Sequence, residues 1–417
     1  MSPLSGPLRN RDVRLLVTGS TVSLVGDGIY SVAMAVAVLH ASGGRATALA
    51  AMAVTNLVPR VIFGLYGGVL ADRVSRRAIL AACDLVRLVI VAALGLLLLA
   101  GDPPLWTLIL LVAPLGAASG AANPAFSAIL PDLVREDELV AANGLMASVS
   151  PLAGMVAGPV LGGVLAAVNT GAALLVDAAT FGISAVCVLL LRPRVGHAPD
   201  AARPLPWAHF REGVSFVRRT PWLAVNLLCG LVITFAVSGT MQMLPVLVTR
   251  AYDAPTASFG YLIAVGGVAA TLAAVVVGSR RPPRRPLAAS YTTYALGLGA
   301  VAGLGLAPNP VVAAGFMVVF FVGATAGNLF QDSVLGSRVP RELRGRVSSL
   351  DWVAATAAAP LSVVVAALAA DHIGIRTTYV AAGLAAAVCS VGGLLLLLRS
   401  GEPTGEAAVK NDEPAMA

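Results

Sequence analysis

The chain has 417 residues, 58% of them hydrophobic and 12% charged, against roughly 25% charged in an ordinary globular protein. That is more apolar sequence than one water-excluded core can hold, so the solvent is lipid and a soluble enzyme or binding domain is excluded. A net charge of +7 without a basic stripe and interleaved stacking aromatics excludes nucleic acid as a partner.

In chain order, apolar runs of about the 20 residues that cross a bilayer fall near 14–40, 46–70, 79–100, 105–129, 140–167, 171–192, 221–249, 256–279, 286–307, 310–335, 346–370 and 375–398. The pattern predicts an all-α integral membrane protein with twelve transmembrane helices in two six-helix bundles. The first run is about 27 residues long with no small-residue cleavage site behind a short apolar core, so it reads as a retained span rather than a signal peptide. With both termini in the cytoplasm, 23 of the 28 Lys and Arg residues fall on the inner side. Outer loops keep Arg45, Arg250 and Arg376, and Arg60 and Arg87 lie inside spans. The positive-inside rule thus predicts a multi-pass protein of the cytoplasmic (inner) membrane, and the net charge reports that topology.

Residues 1–192 form the first set of six spans and 221–399 the second. Between them, 193–220 is the most polar internal segment, with Pro193, Pro199, Pro204 and Pro206, and Trp207 to Phe216 has the pattern of an amphipathic helix for the inner membrane surface. The polar tail 400–417 is expected to be disordered. The halves echo one another. Asp72-Arg73-Val74-Ser75-Arg76-Arg77 follows span 2, and Ser279-Arg280-Arg281-Pro282-Pro283-Arg284-Arg285 follows span 8 with the same charge but no acid. Asn123 and Leu130-Pro131-Asp132 close span 4, as Asn328 and Val339-Pro340 close span 10. Parallel six-span repeats are a transporter architecture, with the substrate near the midplane between them.

Two motifs carry a more specific signal. Gly68-x-x-x-Asp72-Arg73-x-Ser75-Arg76-Arg77 resembles the loop 2–3 motif of the major facilitator superfamily, with Ser75 where the family prefers Gly. In span 5, Gly154-Met155-Val156-Ala157-Gly158-Pro159-Val160-Leu161-Gly162-Gly163 resembles the motif of that superfamily's drug:proton antiporters. Leu130-Pro131-Asp132-Leu133-Val134 followed by Asn143 is similar to its macrolide-efflux and siderophore-export branch. The resemblance implies an alternating-access exporter. One element departs from it: the family's span 4 has an arginine four residues before a glycine, and here Gly116 precedes Gly120.

Physically, Gly68 permits close helix approach, and Asp72 suits the positive N-terminal end of a facing helix, span 11. Arg73, Arg76 and Arg77 then pair with acids such as Asp84 or Asp132. The loop is either a gate latch that holds an outward-open state or a plain positive-inside anchor. In span 5, Gly154, Gly158 and Gly162 recur every four residues on one face for close packing, and Pro159 removes a helix hydrogen bond and bends the span.

Charge in hydrocarbon marks ion or substrate pathways. Asp27 in span 1 and Arg60 in span 2 fall near the midplane and are expected to pair, either as the proton-coupling couple or as a static ion pair. Asp177 in span 6 is a second cavity acid or a helix-end residue bonded to a neighbour. Asp84 and Arg87, three apart, are expected to form a structural pair. Asp332 and Asp351 beside Trp352 read as gate or loop partners rather than midplane sites. Tyr30, Asn226, Phe235, Gln242 and Phe330, with Met241 and Met243, supply an adaptable pocket surface. Cys83, Cys187, Cys229 and Cys389 all lie in spans without C-x-x-C spacing and read as packing residues. The absence of a metal-ligand cluster or a phosphate-binding Gly-Lys-Ser/Thr loop excludes ATP-driven transport by this chain alone, and no cofactor is expected. His40, His197, His209 and His372 all lie in loops or at span ends, so they assemble no enzyme site.

The expected function is a monomeric, proton-coupled exporter of small amphipathic or hydrophobic compounds, whose partners are substrate, protons and the bilayer. The alternatives are a facilitator of one metabolite, such as a siderophore or lysolipid, and a non-transporting receptor or scaffold.

Overall fold

In lipid every backbone N–H and C=O must be paired within its own segment, which leaves this apolar sequence the helix as its spanning form. The computed structural model describes residues 9–192, 215–218, 220–281, 283–339 and 358–400, with the backbone alone at 65, 67–73, 136, 137, 221 and 400. Most of the inter-half linker, Asp351, Trp352 and the tail from 401 lie outside the described residues.

The helices are α1 (Arg11–Ser42), α2 (Ala46–Arg73), α3 (Arg76–Ala100) and α4 (Leu105–Leu133). α5 is built of Glu136–Pro151, Leu152–Ala157 and Gly158–Val168, and α6 is Thr170–Leu189. α7 is built of Pro221–Gln242 and Leu244–Tyr252, followed by α8 (Ser258–Gly278), α9 (Pro286–Leu306) and α10 (Pro310–Arg338). α11 (Ala358–His372) and α12 (Ile375–Ser400) complete the set. Among the described residues eleven of these are long and apolar enough to cross a membrane, and α11 is a shorter apolar helix. The twelve-span expectation is met.

Local signals set the helix ends. Asn10, Ser75, Asn169 and Asn309 cap the N-termini of α1, α3, α6 and α10 with side-chain oxygens, satisfying amides that have no partner within the helix. Gly43, at φ 65°, ends α1 in the left-handed region. Two spans depart from the sequence expectation. α5 starts at Glu136, not 140, where the Arg135 amide donates to the Glu138 carboxylate of the first turn. Span 7 is two helical pieces broken at Met243, since Pro245 has no N–H to carry the ladder across the break.

The first half packs through α2 on α4, α3 on α6, and α1 on α5 and α6, and the second through α9 on α10 and α12, α8 on α10, and α7 on α12. Contact between the halves runs mainly through α5 and α8. At the end of the molecule away from the termini, one apolar core joins α1 and α2 residues such as Val38 and Leu49 to Val246, Leu247 and Val363 of the other half. Toward the termini the cores are separate: Leu16, Ile129 and Leu191 in the first half, Leu287, Val334 and Leu397 in the second.

An ion pair and hydrogen bonds to the main chain close that far end. Arg250 at the end of α7 lies 2.8 Å from Asp371 at the end of α11. Arg250 also donates to the Gly44 carbonyl (2.9 Å), and the Thr47 amide at the start of α2 donates to Asp371 (3.2 Å). Partial burial works to raise the Asp371 pKa, but hydrogen bonds and charge from Arg250 and the Thr47 amide outweigh it and hold the carboxyl below its ordinary value.

Candidate functional site

Ser20, Ser23, Asp27 and Tyr30 recur at three- and four-residue steps, so they share one face of α1. They line a cavity of about 450 Å³ inside the first half. Facing them are Asn56 and Arg60 of α2, Asp84 and Arg87 of α3, Ser119 and Asn123 of α4, Ser150 of α5 and Ser184 of α6. Asp27 is not packed over: its side chain opens onto the cavity. The Tyr30 hydroxyl is buried without a hydrogen-bond partner.

The expected Asp27–Arg60 ion pair is not formed. Both residues open on the cavity, but the pair closed there is Arg87 with Asp84, 3.5 Å apart on one face of α3. The Ser184 hydroxyl donates to Asp84 at 2.7 Å, and the Arg87 guanidinium sits 5.4 Å over the Phe181 ring. The expected Asp84–Arg87 pair is therefore present, which corrects the pairing of Asp84 with the loop arginines. The three-residue spacing revealed the local pair, but nothing in the sequence placed α3 beside Asp27.

Asp177 is fully buried, packs against Gly26 of α1 and does not line the cavity. One carboxylate oxygen accepts from Thr180 (3.2 Å), and Oδ2 has no partner.

The departure in span 4 has a steric cause. A Cβ on Gly116 would overlap the Asn56 carbonyl oxygen, and one on Gly120 would overlap that of Arg60. α4 thus lies directly on the α2 backbone, and the arginines that reach the cavity come from α2 (Arg60) and α3 (Arg87) instead.

In α5, Gly158 and Gly162 lie against α1; a Cβ on Gly28 would come 2.6 Å from the Gly158 Cα. Pro159 cannot donate to the ladder, and the chain answers with a π-turn over Leu152–Ala157, in which the Gly158 amide reaches back to the Ala153 carbonyl. The wider turn rotates Gly154 off the close-packed stripe, and its nearest neighbour would stand 3.8 Å from a Cβ. On the other side of α5, Met155, Pro159 and Gly163 meet Gly267, Gly260 and Ala257 at and beside α8. One motif therefore serves the first bundle and the contact between bundles.

In the loop 2–3 motif, Ser75 caps α3, which accounts for a residue other than Gly there. Arg76 pairs with Asp132 at 2.6 Å and donates to the Ala128 carbonyl, and Arg77 donates to the Leu189 carbonyl. These contacts stay within the first half. The side chains of Gly68, Asp72 and Arg73 lie outside the described residues, as does the start of span 11.

Among the expected pocket residues, Tyr30 lines the first cavity, and Asn226 lines another of about 240 Å³ in the second half. Phe235, Gln242 and Phe330 line neither. Sequence reasoning missed Tyr291 with Tyr294 in α9 and paired Asn328 and Gln331 with no function. Each couple is three residues apart, so each falls on one helix face, and all four residues line that second cavity.

The Major Facilitator Superfamily model matches residues 16–362. The chain is 27% identical over 384 residues to the uncharacterized MFS-type transporter YfiS of Bacillus subtilis, covering 88% of this chain and 89% of the relative. It is 24% identical over 379 residues to macrolide efflux protein A of Streptococcus pyogenes (88% and 91% covered), and 27% identical over 383 residues to the multidrug efflux pump Tap of Mycolicibacterium fortuitum (89% and 92%). The fold matches the crystal structure of the nucleoside transporter NupG with a TM-score of 0.72 at 12% identity, over 94% of this chain and 100% of that one.

Proposed function

The chain belongs to the major facilitator superfamily, and from that premise we propose that it is a proton-coupled exporter of small amphipathic or hydrophobic compounds. It works as a monomer in the inner membrane, with both termini cytoplasmic and the end closed by Arg250 and Asp371 facing outward. The two six-helix halves, 1–192 and 221–399, rock about the α5–α8 contact. Support for the substrate class comes from relatives named for macrolide and multidrug efflux.

The observation that carries the reading is the charge pattern of the first cavity. Asp27, Asp84, Arg60 and Arg87 face one space, and Asp84 and Arg87 are committed to each other. Asp27 holds no such pair, so it can exchange a proton without breaking one. With Asp27 ionised, the four charges balance and a cationic substrate finds a free carboxylate. With Asp27 protonated, the cavity carries excess positive charge and repels the cation. Proton and substrate thus compete, and each favours a different state of the transporter.

Gly68–Arg77 remains the inner gate: Arg76 and Arg77 fix its base to α4 and α6, and Asp72 is its latch. Inverted membrane vesicles given an imposed pH gradient should accumulate ethidium, and Asp27→Asn should abolish gradient-driven accumulation. Undiminished accumulation in that variant would overturn Asp27 as the coupling acid.

A further inference from the structure

The cavity of the second half is built differently from the first. It lies between α7, α9 and α10, has a volume of about 240 Å³, and none of the residues lining it is charged. Three carboxamides face it, each with its oxygen within reach of a tyrosine hydroxyl. The Tyr291 hydroxyl donates to Asn226 Oδ1 (3.2 Å), and the Tyr294 hydroxyl lies 2.5 Å from Asn328 Oδ1 and 3.3 Å from Gln331 Oε1. Asn226 is 4% exposed, and its amide nitrogen has no partner. A buried amide N–H without an acceptor is costly and persists where something else supplies one. Ile233, Leu298 and Phe320 give the same space an apolar wall.

With the Asn226 and Asn328 oxygens taken by the Tyr291 and Tyr294 hydroxyls, amide N–H groups, above all that of Asn226, are what this wall offers. We propose that this cavity is a second substrate subsite, which binds the uncharged, acceptor-rich part of the transported molecule: ester, ketone or ether oxygens on an apolar frame. The assignment rests on the exporter reading above and narrows it. The substrate is an amphiphile with two distinct ends, a basic group for the Asp27 cavity and a neutral, oxygen-bearing body for Asn226 and its neighbours. A cation without acceptors engages only the first half.

Calorimetric binding to the purified full chain tests this with two probes. Erythromycin has a basic amine on an ester- and ether-rich frame, and tetraphenylphosphonium has charge and apolar surface but no acceptor. Asn226→Leu should weaken erythromycin about tenfold, the scale of a buried hydrogen bond lost with its partner stranded, and leave tetraphenylphosphonium within about twofold. Gln331→Leu, at a less buried position, should give the same selective loss, and it serves where Asn226→Leu does not fold. Equal weakening of both probes, or of neither, would overturn the subsite and leave the exporter standing. Failure of the unmodified protein to bind either probe would overturn the exporter reading, and the subsite with it.

Discussion

Single residues in this protein are constrained less by what they are than by what lies one helix away. Gly116 is in van der Waals contact with the α2 backbone, so Gly116→Arg does not restore a family arginine to the cavity; it drives α4 off α2. That variant should accumulate poorly in the membrane and lose the monodisperse peak in size-exclusion chromatography, whereas an arginine merely missing from the cavity would be tolerated. Asp84 poses the opposite case. It neutralises Arg87, whose Nε already lacks a partner, so Asp84→Ala leaves a buried cation uncompensated. A loss of about 2 kcal/mol, the scale of an unsatisfied charged partner, should appear as a lower Tm in a thermal-shift assay. The sequence showed Asp27, Arg60, Asp84 and Arg87 as costly charges in apolar runs. It did not show who meets whom, because pairing across helices is set by packing that no local spacing encodes.

Elements were easier to read. Lipid forces helices, so composition alone gives the twelve spans, and caps such as Asn10 and Ser75 mark their starts. Breaks within spans were half legible. Pro159 announced a lost hydrogen bond, but whether the helix kinks or widens depends on its neighbours, and close contact with α1 at Gly158 selects the π-turn. The contacts at the α2, α7 and α11 ends had no sequence signal beyond Arg250 as an exception to the positive-inside pattern. All three such exceptions are occupied: Arg45 donates to the Ser42 carbonyl, Arg250 holds Asp371, and Arg376 donates to the carbonyls of Ala251, Gly305 and Ala307. Asp371→Asn removes the ion pair and weakens the amide contact to α2. A partly exposed pair is worth up to about 1 kcal/mol, so the open population should rise about fivefold at most. A cysteine placed at Ala46, in a background without native cysteines, should then react faster with a membrane-impermeant maleimide applied from outside; an unchanged rate would show that the contact does not hold the end shut.

At the scale of the whole molecule, the two ends of the transport cycle answer to different chemistry. The merged core and the Asp371 contacts describe a state closed at the far end, with separate cores toward the termini. Because the Asp371 carboxyl is held below the ordinary value of 3.8, its contribution is complete above the unfolded pKa and is lost only as pH falls through the lowered folded one. Acidity in the neutral to mildly acidic range therefore leaves this closure intact. Maleimide labelling at position 46 should be flat with pH once corrected for thiolate ionisation, while transport varies with pH through Asp27. A labelling rate that followed the pH dependence of transport would place proton sensing at the rim instead.

The far-end closure is also genetically lopsided. On the second half it uses two side chains, Arg250 and Asp371, but on the first half only a carbonyl at Gly44 and an amide at Thr47. Main-chain groups carry no side chain to exchange, so a change at 47 cannot readily delete the contact or restore it, and at 44, where φ is 80°, any residue but glycine only strains the turn. Selection for revertants of an Asp371 lesion should accordingly return changes in α7, α11 or the inner gate, and leave the α1–α2 turn untouched.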